Sequence, residues 1–330
     1  MTVPADHLID QLVDKSRQLK AELQKAVIGQ QPVIDDILLA LFCGEHAILT
    51  GVPGLAKTLL IRSLASALQL EFSRIQFTPD LMPSDITGTD IIQEDPESGK
   101  RKLEFLRGPV FANLLLADEI NRTPPKTQAA MLQTMQEREV SIGSTTYSLP
   151  KPFHVFATRN PIEQEGTYQL PEAALDRFML SIHIDYPDTR DEVAVVRETT
   201  GNTVPEIEPV IGGEELQSIH HLVRNIPVAE EVIEYAVRLA AGSRPHSEHA
   251  IDATNEFVRW GAGPRASQYL ILGAKARAAI EGAPCADFSG VRSVARQVLE
   301  HRVLTNFKAR SQSVTELQII DQLIEKTKER

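Results

Sequence analysis

Cysteine is nearly absent: Cys43 and Cys285 are the only two in 330 residues. They form no CxxC pair, so neither a disulfide framework nor a zinc site is expected, and reduced, buried thiols are the simpler reading. Long apolar runs are missing too. No stretch approaches the roughly eighteen apolar residues needed to cross a membrane. The charged N-terminus, MTVPADHLIDQLVDKSRQLKAELQKAVIG, has no signal-peptide core. A cytoplasmic location is expected. Basic charge is also in deficit: 34 Lys and Arg face 45 Asp and Glu, a formal net charge of −11. Such a surface disfavours wholesale contact with nucleic acid or anionic lipid, although a local basic patch could survive. Repeats and low-complexity tracts are absent as well. The hydrophobic content of 42% is ordinary for a globular chain. The length suits two domains, or one large domain with a smaller attachment.

Apolar spacing organises the chain. Leu8, Leu12, Leu19, Leu23 and Ala26 recur at three- and four-residue steps, which predicts an amphipathic helix over residues 8–26. VIGQ at 27–30 breaks it, and Pro32 suits the first turn of a second helix. HAILTGVPG is a short apolar run ending in glycines, hence a buried strand entering a loop, and KTLLIRSLASAL continues as a helix. FANLLLADEIN, PFHVFATRNP and FMLSIHIDYP are further short strands, with helical segments such as PPKTQAAMLQTMQER between them. Strands alternating with helices predict an α/β fold, a parallel sheet with helices on both faces. In such sheets ligands bind beyond the carboxyl ends of the strands, and the chemically distinctive residues fall there. From about residue 190 the texture is helical. GNTVPEIEPVIGG is a Pro- and Gly-rich connector, and the segments beyond it predict a separate helical domain.

The segment GVPGLAKTLL resembles the phosphate-binding pattern G-x-x-x-x-G-K-[ST], with Ala56 where the second glycine belongs. Such a loop cradles phosphates with backbone N–H groups and a helix N-terminus. Lys57 would balance the β- and γ-phosphates and Thr58 would hold magnesium. The plainer alternative is a glycine-rich turn before an ordinary helix. The Ala56 methyl is tolerable there if the local φ is negative. A second strand ends in Asp118 and Glu119. Asp118 can help hold magnesium and Glu119 can activate water; alone, the pair also reads as solvated loop carboxylates. Asn160 ends the third strand and could position the same water. Taken singly, Asn160 reads as a turn residue, and Arg177 and Arg265 as surface or salt-bridge residues. His246 and His249 would lie one turn apart if helical, but without further ligands they make a poor metal site.

Together, GVPGLAKT, ADEINRTPPKTQAAMLQTMQE, ATRNP, LPEAALDRF and GPRAS resemble the AAA+ ATPases, and within them the MoxR family. The resemblance spans nearly the whole chain, from VIGQ to Val303. MoxR-type loops typically carry alanine before the lysine. The resemblance implies a P-loop AAA+ core with a C-terminal all-helical lid. The divisions are an N-terminal helix (1–26), a nucleotide-binding domain (27–190), a connector (191–213) and a lid (214–330). It implies ATP and Mg2+ as cofactors, with Gly51, Val52, Pro53, Gly54, Leu55, Ala56, Lys57, Thr58 and Leu59 around the phosphates. Thr58 and Asp118 would serve the metal, and Val27, Ile28 and Gly29 would pack near the adenine.

By the same resemblance Asn160 is sensor 1. Arg177 is the arginine finger projecting into a neighbour's site, and Arg265 is sensor 2, reaching the nucleotide from the lid. Glu119, Asn160, Arg177 and Arg265 are therefore the expected catalytic set. A finger acting between copies implies a homo-oligomer, in this superfamily usually a hexameric ring, with Arg122 near the subunit interface. MoxR proteins imply a chaperone-like role on partner complexes, often with von Willebrand factor A domain partners and sometimes in metal-cofactor insertion. Two hairpins are expected. One has its tip at Glu97, Ser98 and Gly99; the other turns at Gly143 and Ser144. Such hairpins often line a central pore or contact substrates. Two rival readings are a nucleic-acid motor, which the acidity opposes, and a nucleotide-gated scaffold.

Overall fold

The computed structural model describes residues 5–94, 101–161, 167–201 and 205–329. In the first half, the chain runs α1 (Ala5–Ala26), α2 (Gln31–Cys43), β1 (Ala47–Thr50), α3 (Lys57–Ala67), β2 (Phe72–Gln76) and α4 (Pro83–Thr87). It continues through β3 (Gly88–Glu94), β4 (Arg101–Arg107), β5 (Leu114–Asp118), α5 (Pro125–Glu137), β6 (Glu139–Ile142), β7 (Thr145–Ser148) and β8 (His154–Arg159). Next come α6 (Glu172–Leu175), β9 (Leu180–His183), α7 (Thr189–Thr199), α8 (Gly213–Asn225), α9 (Glu230–Gly242) and α10 (Asp252–Phe257). The last elements are β10 (Val258–Trp260), α11 (Pro264–Glu281), α12 (Phe288–Leu299), β11 (Leu304–Thr305), α13 (Phe307–Ser311) and α14 (Glu316–Lys326).

The central sheet has five parallel strands in the order β2-β5-β8-β1-β9. Its inner strands β1 and β5 are buried at every position. That is why they read as continuous apolar runs: both faces are covered. Alternate residues point to opposite faces. Ile48, Leu115, Ala117, Val155 and Ala157 enter one core with α5; Ala47, Leu49, Leu114, Leu116 and Phe156 enter the other with α2 and α3. Edge strand β2 has only Ile75 buried. Its sequence, FSRIQ, carries no apolar run, and it becomes a strand by pairing with β5, Gln76 opposite Asp118.

The second core does not stop at the sheet. It continues without a break into α1, α8, α9, α11, α12 and α14. In that region α8 and α11 pack against α1 and α2, while α9 and α12 pack on α11 and α14 packs on α12. A short antiparallel ribbon, β10 with β11, interrupts the helices, so ATNEFVRWG is part helix and part strand. β3 pairs with β4 and β6 with β7, the second pair turning at Gly143 with φ +58°. The expected tip of the first hairpin, residues 97–99, lies outside the described residues. His246 and His249 lie in turns, with His246 at φ +64°, so they share no helix face. Cys43 is buried, but Cys285 is exposed, against expectation. Among the described residues no helix is long and apolar enough to cross a membrane.

Candidate functional site

Strand β1 delivers the chain into the loop 51–56, and α3 leaves it. Gly51 is required by packing: a Cβ there would lie 2.5 Å from the Ile184 carbonyl oxygen, after β9. Gly54 is required by conformation, with φ +86°. Ala56 adopts φ 56°, ψ 20°, the left-handed region. The negative φ that would make its methyl harmless is not what the loop adopts, and an L-residue there costs about 1 kcal/mol. No side chain caps α3, so its first-turn N–H groups remain for a ligand. Lys57 Nζ donates to the Gly51 and Val52 carbonyls at 2.5 and 3.2 Å. Burial pulls the Lys57 pKa down, against the pull of Asp118 and Glu119.

Across the sheet, Asp118 is buried at the end of β5 and bonded on both oxygens. Thr158 Oγ1 donates to its Oδ1 at 2.5 Å, and Arg74 donates to its Oδ2 from Nε at 3.0 Å and Nη2 at 2.6 Å. Glu119 has φ 57°, ψ 47°, a second left-handed non-glycine. Its N–H donates to Thr158 Oγ1 at 2.8 Å. Its Oε2 accepts from Gln76 Nε2 at 2.8 Å and Arg122 Nη1 at 3.0 Å. Backbone strain of this kind concentrates where a side chain must be aimed.

Two adjoining cavities share the loop. A polar one of about 450 Å³ is lined by Pro53 to Leu59 with Arg74, Gln76, Asp118, Glu119 and Asn160. A mostly apolar one of about 360 Å³ is lined by Val27, Ile28, Gln30, Leu59 and, from α7 and its flanks, Pro187, Val195 and Thr199. Gly54, Leu55, Ala56 and Leu59 belong to both. Gly29 lines neither. Its φ is +75°, and a Cβ would meet Asp191 Oδ2 at 2.6 Å, so it makes the turn that lets α7 approach.

Arg177 and Arg265 lie elsewhere. Arg177 Nε donates to Gln136 Oε1 at 2.9 Å, in a groove between α5 and α6. Arg265, expected to reach the nucleotide from its own lid, instead donates to Asp176 Oδ2 at 3.3 Å. Neither lines either cavity at the loop.

Residues 46–180 match the family model described as "ATPase family associated with various cellular activities (AAA)", and residues 251–323 match the AAA lid domain. Chaperone MoxR1 of Mycobacterium tuberculosis is 37% identical over 92% of this chain and 79% of its own length. The chain belongs to the MoxR family of AAA+ ATPases. Protein MoxR of Methylorubrum extorquens is 32% identical over 91% of this chain and 90% of its own. A crystal structure of a candidate ATPase from Cytophaga hutchinsonii superposes with a TM-score of 0.90 at 38% identity, covering 98% of this chain and 97% of the other.

The donor set of this MoxR chain fits a magnesium nucleotide. An uncapped helix start and an ammonium serve anionic oxygens; a hydroxyl and a carboxylate, Thr58 and Asp118, suit a hard cation. Sequence reasoning missed Arg74, Gln76 and Thr158. Arg74 and Gln76 are two apart on β2 and so share a face; recognising that strand was the signal needed. It also missed the α7 residues of the apolar cavity, which it had assigned to a connector.

Proposed function

We propose that this MoxR protein hydrolyses Mg-ATP in the cleft around residues 51–59 and uses the turnover to remodel partner protein complexes. One observation carries the reading: a mostly apolar cavity of about 360 Å³ adjoins one of about 450 Å³ lined by Lys57, Arg74, Asp118 and Glu119, with the loop and the start of α3 between them. Val27, Ile28 and Leu59 flank the base. The loop N–H groups and Lys57 bind the phosphates. Bound at Thr58 and Asp118, magnesium supplies charge neutralisation on the phosphate oxygens. Glu119 takes the proton of the attacking water, and Asn160 orients that water.

Arg177 and Arg265 do not reach this cleft in their own chain, yet they neighbour each other through Asp176. We infer that both complete the site of an adjacent copy. That requires a homo-oligomer, a hexameric ring in the usual arrangement of the superfamily. Arg265 is thereby reassigned from its own nucleotide to a neighbour's. The MoxR1 relative is called a chaperone, which supports the remodelling role. Partners with a von Willebrand factor A domain, and metal-cofactor insertion as one outcome, remain the family expectation. The test is ATP hydrolysis per subunit against protein concentration, with magnesium. A rate rising steeply with concentration is expected. A substantial rate that persists down to clear monomer would overturn the shared site; binding without turnover at any concentration would favour a scaffold.

A further inference from the structure

Asp176 receives two arginines from the helical region. Arg302 Nε donates to its Oδ1 at 2.8 Å and Arg265 Nη1 to its Oδ2 at 3.3 Å. The two arginines differ in setting: the Arg302 side chain is 2% exposed and the Arg265 side chain 38%. Arg302 also donates to the carbonyls of Asp176, Phe178 and Met179 at 2.9, 2.7 and 3.2 Å, and to that of Val298. The Tyr269 hydroxyl donates to the Arg177 carbonyl at 3.4 Å, and its ring lies 5.0 Å from the Arg302 guanidinium. Every carbonyl from residue 176 to 179 is thus held by a side chain from α11 or the turn after α12.

Burial of Arg302 accounts for one carboxylate. It does not account for the second guanidinium. Asp176 therefore serves one buried and one half-exposed arginine, and the backbone of Arg177 follows it directly in the chain. A half-exposed guanidinium held at 3.3 Å, on a carboxylate that already has a buried partner, suits exchange onto another anionic oxygen. We propose that Asp176 is a positioning residue: it ties Arg177 to Arg265 so that the lid presents both, as one unit, to the triphosphate of an adjacent copy. This rests on the between-copies reading above. Movement of the lid then carries Arg177 with it, since the finger's own backbone is bonded to the lid. Arg265 can leave Asp176 for the phosphate without stranding a charge, because Arg302 remains.

Mixing experiments test it. Glu119→Gln subunits keep their arginines but do not hydrolyse; Arg177→Ala subunits keep their cleft but lack the finger. Restored ATPase on mixing these two establishes the between-copies reading; no restoration overturns that reading itself. Asp176→Asn leaves Arg302 its four backbone carbonyls. Alone, it should lose about a hundredfold in rate, the usual effect of displacing a catalytic group by about 1 Å. Mixed with Glu119→Gln subunits it should regain activity; mixed with Arg177→Ala subunits it should not. A wild-type rate for Asp176→Asn alone, or no recovery with Glu119→Gln, overturns the role of Asp176. So does loss of binding of a fluorescent ATP analogue by Asp176→Asn, which would make the residue a general support of the fold.

Discussion

Replacing Ala56 by glycine should stabilise the protein. Ala56 holds φ 56°, ψ 20°, where an L-residue costs roughly 1–2 kcal/mol against its right-handed alternative. Glycine removes that penalty but adds freedom to the unfolded chain, which takes back about 0.4–1 kcal/mol. The net gain is about 0.5–1 kcal/mol. The internal control is Ala65, inside the same α3 and 2% exposed. Glycine there costs about 1 kcal/mol in helix propensity and about 0.8 kcal/mol more for the buried methyl. Two Ala→Gly changes at the two ends of one loop–helix unit should therefore differ by roughly 2–3 kcal/mol and in sign. Urea denaturation, compared at equal m-values, measures both. ATP affinity should not weaken in Ala56→Gly, because the backbone that meets phosphate keeps its shape. If Ala56→Gly is destabilised alongside Ala65→Gly, the loop is not left-handed at residue 56 and the account of this site's strain is wrong.

Lys57→Met should bind ATP roughly ten- to a hundredfold more weakly, the loss of charge-assisted hydrogen bonds worth about 1.5–3 kcal/mol, measured by titration with a fluorescent nucleotide. Glu119→Gln should keep that binding and lose roughly 10²–10⁴-fold in turnover; unchanged turnover would remove Glu119 as the base. Acid should destabilise the fold. Burial pulls His46 and His220 down to about 4, and also holds His154 and His301 well below the usual histidine value. These groups stay neutral when folded but take protons below about pH 6.5 when unfolded. Their stabilisation is therefore complete above about 6.5 and is lost as pH falls toward about 4. Asp36, raised by burial to about 6, Glu45, also raised by burial, and His183, raised by its bond to Glu300, act in the opposite sense, but the four buried histidines outnumber these three. For His46 alone the loss between about pH 7 and about pH 5 is on the order of 2 kcal/mol. Thermal melts across that range should show the fall, and His46→Gln should flatten it.

Local chemistry determined much of this protein from its sequence alone. Continuous apolar runs announced β1, β5, β8 and the edge strand β9, because a strand covered on both faces has nowhere to put a polar side chain. Glycine, lysine and threonine after β1 and adjacent carboxylates after β5 marked two segments that the fold brings to one cavity. Tertiary structure decided the rest. β2 exists because β5 offers it a ladder, and only then do Arg74 and Gln76 meet Asp118 and Glu119. The sign of φ at Ala56 and Glu119 depends on how two strand ends and a helix converge, which no local pattern encodes. The helical region shares a core with α1 and α2 because amphipathic stripes specify burial but not the surface that provides it. Motif order places Arg265 at its own nucleotide; in the folded chain it bonds Asp176, which the buried Arg302 also holds across more than a hundred residues of sequence.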